Sequence, residues 1–289
     1  MTEGQVPRAV DQSGFHCPAC GTSADSFGEG PGGRPNARCP TCDSLERHRV
    51  LVALLERIRP VLGTVNGVLE IAPQPQIRRY LESAGIRYVG LDLESKLPID
   101  IQADATMLPF RDGTFDVIIC YQVLEHIPND LTALEEMARV LSAGGVAFIQ
   151  VPRRRGHPTI EDLDADEATR TRLFGQADHV RYYGNDFEAR AERHGLRLAA
   201  IRPTDLLTSE AVTRFGVDPN EELWVGRTLQ RSGSDASELD VQLILDRSRQ
   251  QVEAAEQAAA KWQTAYERLA GHPVVRPLLR VRKLLRSRR

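Results

Sequence analysis

Residues 115–121 read FDVIICY, an apolar run interrupted only by Asp116. A strand covered on both faces needs such a run because neither side of it meets water, which puts this segment in the middle of a parallel sheet. The neighbouring sequence fits the same architecture. Upstream, 67–71 (GVLEI) and 87–92 (RYVGLD) are two more strand candidates, separated by a helical stretch at 76–84. Downstream, Pro128 and Asn129 open a helix with Leu131, Leu134, Ala138 and Leu141 at helical spacing. Gly144 and Gly145 are expected to end that helix, and 146–151 returns as a strand. A helix at 186–194, stopped by Gly195, and strands at 196–201 and 222–229 complete the pattern. Strands alternating with helices predict an α/β fold.

Ligands of an open α/β sheet sit beyond the carboxyl ends of its strands, which here carry Cys120, Tyr121, Gln122 and the segment 123–126. Asp92, at the end of the second strand, is positioned to accept two hydrogen bonds from a ribose diol. It marks a nucleoside without saying which, and NAD would suit it equally. Asp104 is followed by Met107, Leu108 and Phe110, a setting in which an adenine amino group meets a carboxylate while its ring packs on hydrocarbon. Two acids with divided tasks point to adenosine.

The block 104–145, with its FDVI, LEHI and ARVLSAGG segments, resembles the class I S-adenosylmethionine-dependent methyltransferases, and the similarity extends over about 61–229. That resemblance implies a Rossmann-like seven-stranded sheet with an antiparallel terminal strand, which a nicotinamide-binding domain does not lead one to expect. It further implies that Glu70 orients the loop around the methionine end and that Asp92, with Leu93 beside it, takes the ribose. By the same carry-over Asp104, with Ala105, takes the adenine N6, and the segment Cys120, Tyr121 and Gln122 lines the sulfonium. The chain departs from the family where a glycine-rich turn is usual: 72–76 reads APQPQ, and two prolines remove two backbone donors. The small Ala72 serves part of the need for close backbone approach, and the amides of Gln74 or Gln76 are candidates to replace lost contacts.

Cys17, Cys20, Cys39 and Cys42 form CPAC and CPTC, two knuckles at zinc-ribbon spacing. Four thiolates close a tetrahedral shell, and a structural Zn2+ supplies stability that a short glycine-rich segment cannot obtain from a core. His16 and His48 are surplus to that shell, and the fifth cysteine, Cys120, reads as a packed strand residue. An amphipathic helix at 44–62, with Leu45, Leu51, Leu54, Leu55 and Ile58 on one face and Ser44 as its cap, joins the ribbon to the α/β domain. After Val151 a long connection gathers His157, Glu161, Asp178, His179, Arg181, Tyr182 and Tyr183. His179, beside Asp178, is the first candidate for a catalytic base and His126 the second. Arg153, Arg154 and Arg155 read as a solvated run.

These readings divide the chain into a ribbon at 1–43, a methyltransferase-like domain at 44–230, and a linker, long helix and basic amphipathic tail at 231–289. The helical stretch 239–269 is read as exposed or self-associating. The tail 272–289 alternates valines and leucines with arginines and no acid, which suits an anionic membrane surface; disorder and a partner helix are the alternatives. A net charge of −3 over 289 residues makes a nucleic-acid partner an unfavoured expectation. Reduced cysteines and no recognisable export signal predict a cytoplasmic protein, peripheral to the membrane if the tail engages it. The function expected is methyl transfer to a small-molecule, glycan or lipid-linked acceptor. A zinc-ribbon RNA methyltransferase, a non-catalytic scaffold and a non-methylating use of the same cofactor are the alternatives.

Overall fold

The computed structural model describes residues 14–62, 65–94, 98–229, 246, 249–258, 260–261 and 263–264. Its centre is a seven-stranded sheet of β1 (Val68–Ile71), β2 (Tyr88–Asp92), β3 (Ile101–Gln102), β4 (Phe115–Tyr121), β5 (Leu141–Gln150), β6 (Leu196–Ile201) and β7 (Leu223–Thr228). The spatial order is β6-β7-β5-β4-β1-β2-β3. β7 runs antiparallel between β5 and β6, and the remaining pairs are parallel. As its composition requires, β4 lies in the interior of the sheet, with only Asp116 less than buried.

Two apolar layers cover the sheet. On one face α1 (Glu46–Leu62), α2 (Pro75–Ser83) and α6 (Ser209–Arg214) supply Leu51, Leu55, Ile58, Ile77 and Val212. On the other, α3 (Asp130–Val140) and α5 (Phe187–Arg193) supply Leu134, Met137, Phe187 and Ala191. Asn129 caps α3 by accepting from the Thr132 N–H. The connection after β5 is ordered: Ile160–Glu161 pairs with Arg181–Tyr182, and α4 (Glu167–Phe174) lies between them. Asp130, 1% exposed, ties this connection to α3 by accepting from Tyr183 Oη at 2.7 Å and Arg190 Nη2 at 2.7 Å.

Two local expectations are corrected. Gly144 and Gly145 do not end α3, which stops at Val140; they lie inside β5, where the register against β4 shifts between Phe115 and Val117. A Cβ on Gly145 would sit 2.9 Å from the Asp116 carbonyl oxygen, so the extra residues crowd the backbone where the register shifts. Ser44 does not cap α1: its Oγ lies 3.0 Å from Cys17 Sγ, and the residue is fully buried. The helical residues 249–258 dock on the domain, with Val252 buried and Glu256 accepting from Ser209 N at 2.9 Å and Ser209 Oγ at 2.7 Å. The basic tail 272–289 and its expected membrane contact lie outside the described residues, as do the linker and much of the remaining helical stretch.

Candidate functional site

The carboxyl ends of β1, β2 and β4 open onto a cleft of about 640 Å3. Ile71, Leu91, Ala103, Val123 and Ile127 give it an apolar floor, and Asp92 and Asp104 both line it. Leu93, also in the wall, is 55% exposed and offers hydrocarbon at the rim. Asp104 Oδ1 accepts from the Thr106 N–H at 2.8 Å, whereas among the described residues the Asp92 carboxylate has a long contact of 3.4 Å from the Glu94 N–H. Ala72 and Gln122, the residues immediately after β1 and β4, both take left-handed backbone angles, with φ of 54° and 57°. A non-glycine residue there costs of order 1–3 kcal/mol, and both lie at the same end of the sheet, in the cleft wall.

Glu70 lies beneath this wall, 1% exposed, and holds the proline-bearing turn. Its Oε1 accepts from the Gln74 N–H at 3.1 Å and its Oε2 from Tyr88 Oη at 2.6 Å. Burial pushes its carboxyl up to about 8, against the partial relief of those two bonds. The amides of Gln74 and Gln76 do not face the cleft: Gln74 Nε2 donates to the Ala72 carbonyl and Gln76 Nε2 to the Cys42 carbonyl at 2.8 Å. The turn that departs from the glycine pattern is therefore bonded to the cysteine knuckle. Cys120 and Tyr121 are buried in β4 outside the cleft lining, and Gln122 is the strand-end residue that reaches it. Burial pushes the Cys120 thiol up, as expected of a packed strand residue.

The two histidines named as candidate bases lie in different settings. Asp178 pairs with His126 Nδ1 at 3.2 Å, and both residues line the cleft. His179 is 3% exposed, outside the lining, and its Nδ1 lies 3.2 Å from the Phe174 carbonyl oxygen. Burial, then the nearby His126, lowers its pKa. Beyond Gln122 lies a second, polar chamber of about 340 Å3, lined by Arg34 of the ribbon, Arg47 of α1, Arg153, Tyr182, Glu221 and Trp224 among others. Arg153 is committed there to Glu188 and Glu222, at 3.1 and 3.2 Å, rather than solvated.

The four ribbon cysteines lie within 4.8 Å of one another, with Cys17–Cys42 and Cys20–Cys39 sulfur separations of 3.7 and 3.8 Å. A tetrahedral zinc shell with Zn–S near 2.3 Å has S–S edges of about 3.8 Å, so the donor set fits that ion. His48 points elsewhere, accepting from the Leu45 N–H at 3.2 Å. Arg49, fully buried, fastens the ribbon to the domain by donating to the carbonyls of Ala37, Ser44, Phe215 and Gly216. The sequence reading placed Gln122 at this strand end and missed Arg49. An arginine between Leu45 and Val52 on an otherwise apolar face was a usable signal for it.

A seven-stranded sheet of this order and direction, with one antiparallel strand inserted near its edge, defines the Rossmann-like methyltransferase fold. Residues 74–149 match the family model described as Methyltransferase domain. Among curated relatives, norajmaline N-methyltransferase of Rauvolfia serpentina is 34% identical over 76 residues, 26% of each chain. Methyltransferase GfsG of Streptomyces halstedii is 40% identical over 124 residues, 43% of each chain. A solved SAM-dependent methyltransferase from Archaeoglobus fulgidus aligns with 63% of this chain and 94% of its own, at 13% identity and a TM-score of 0.43. The chain spans about half or less of the length of the curated relatives it matches, between 22% and 48%. No helix among the described residues is long and apolar enough to cross a membrane.

Proposed function

We propose that this protein is an S-adenosylmethionine-dependent methyltransferase whose cofactor occupies the cleft at the ends of β1, β2 and β4. The observation that carries the reading is the pair of cleft-facing carboxylates, Asp92 and Asp104, on either side of an apolar floor. Asp92 stands at the end of β2, where a ribose diol would meet it, and Asp104 stands beside Ala105, where an adenine amino group would meet it. Left-handed Ala72 keeps the first turn small, while Glu70 holds that turn from beneath and makes no direct contact with the ligand. When bound, the cofactor supplies a methyl group on a sulfonium leaving group, so the chain's task is to hold donor and acceptor in line. The acceptor would approach from the polar chamber, which shares Gln122 with the cleft. Of the two histidines first considered, His126, paired with Asp178, is the one in the cleft wall, and His179 lies behind it. The ribbon is a structural zinc module docked through Arg49 and Gln76.

Charges of both signs in the chamber suit a polar small molecule or a glycan better than a polyanion, which disfavours the RNA reading. The relatives are named for acceptors as different as norajmaline and arsenite, so the acceptor is a matter for product analysis. Calorimetry with S-adenosylmethionine tests the reading. Asp92→Ala removes hydrogen bonds to a charged acceptor worth about 1.5–3 kcal/mol, which is a loss of roughly 10- to 150-fold in affinity. Absence of binding by the folded wild-type chain would leave the scaffold alternative in its place.

A further inference from the structure

Next to the cleft, three side chains with metal-ligand chemistry converge apart from the ribbon. One ligand atom each from Glu125, His126 and His179 lies within 4.8 Å of the others. Glu125 is 0% exposed, and neither of its carboxylate oxygens has a hydrogen-bond partner among the described residues. Arg47 and Arg181 contribute field there, but Arg181 gives its guanidinium to the carbonyls of Leu124, Ile127 and Pro128 and to Glu161. A buried carboxylate without a partner is costly enough that its persistence calls for a missing cation or proton.

The two imidazoles are oriented as ligands would be. His126 Nδ1 faces Asp178 Oδ2 and His179 Nδ1 faces the Phe174 carbonyl, each at 3.2 Å. Each contact fixes the proton on Nδ1 and leaves Nε2 with its lone pair, the outer-shell arrangement that tunes metal-bound histidine. His179 Nε2 is buried and has no hydrogen-bond partner among the described residues, and the two rings stand edge to face with centroids 4.6 Å apart.

We propose that Glu125, His126 and His179 bind a divalent transition metal, zinc foremost, through one carboxylate oxygen and two Nε2 atoms. Two nitrogens and one oxygen suit zinc, and three protein ligands leave one tetrahedral position open. His126 lies in the cleft wall, so the site borders the cleft, and the open position would take water or a ligand oxygen. Ion–ligand distances of about 2.0–2.2 Å imply edges near 3.4 Å, so the side chains draw together by roughly an ångström on loading. This site is closed to the ribbon cysteines and does not depend on the methyl-transfer reading.

Metal content of the full chain, equilibrated with Zn2+ and desalted, tests it. Two zinc ions per wild-type chain are expected, falling to one in Glu125→Gln and in His126→Asn. The second variant sits at a position whose side chain is 33% exposed and keeps the test open if the first does not fold. With Co2+ as the probe, the sulfur charge-transfer bands of the ribbon should persist in both variants while the weaker visible bands of a nitrogen and oxygen site disappear. One ion per wild-type chain with an all-sulfur Co2+ spectrum would overturn the proposal, as would retention of two ions in both folded variants.

Discussion

Arg49→Met should detach the ribbon from the domain, and the structure sets the size of the effect. The guanidinium donates to Ala37 O at 2.9 Å, Ser44 O at 2.7 Å, Phe215 O at 2.6 Å and Gly216 O at 2.8 Å, and it stacks 4.7 Å over the Phe27 ring. Ser44 O keeps a second donor, the Cys39 N–H at 3.0 Å. Three carbonyls therefore lose the donor supplied by Arg49. At about 1–3 kcal/mol for each buried acceptor left unsatisfied, the gross cost is about 3–9 kcal/mol. Water reaches the half-buried Phe215 and Gly216 carbonyls, and methionine removes the cost of burying a charge, so the net loss should lie near 3–5 kcal/mol. Urea unfolding of the full chain with zinc bound, followed by circular dichroism, reads this directly. Arg49→Lys should recover only part of the loss, since a compact ammonium cannot fork to carbonyls on two sides. A loss below about 1 kcal/mol for Arg49→Met would refute the assignment of Arg49 as the joint between ribbon and domain.

Other expectations follow from single contacts. Glu70 has a folded pKa of about 8, raised by burial above an ordinary 4.5, so its protonated form stabilises the fold at low pH and that contribution is lost as pH rises from about 4.5 through 8. The slope is up to about 1.4 kcal/mol per pH unit, and Glu70→Gln should flatten it in unfolding measurements across that window. Asp130→Ala leaves the buried Tyr183 hydroxyl without its acceptor and Arg190 with Glu161 as its remaining carboxylate, and should cost about 2–4 kcal/mol in a denaturant titration. Removing zinc with a chelator should weaken S-adenosylmethionine binding by calorimetry, because Gln76 bonds the Cys42 carbonyl to the turn that carries Ala72; Gln76→Leu should reduce this dependence.

Much of this was present in the order of residues. The run 115–121 required a buried strand, the alternation around it required an α/β sheet, and two CxxC pairs brought four sulfurs to zinc-ribbon distances. These are local patterns: period, spacing and residue type determine which face of an element must be hidden and which ligands lie within reach. Pairings across long stretches of chain were not legible in that way. Asp178 precedes His179 yet pairs with His126, Gln76 turns from the cleft to Cys42, and Arg49 reaches Phe215 and Gly216, 166 and 167 residues away. Adjacent residues on an extended segment point to opposite sides, so neighbours in sequence need not be neighbours in space. Patterning settled which elements form and where a ligand would enter, whereas packing chose the polar partners. That choice decided that His126 meets the cleft and that Glu125 is buried beside two imidazoles with no hydrogen-bond partner among the described residues.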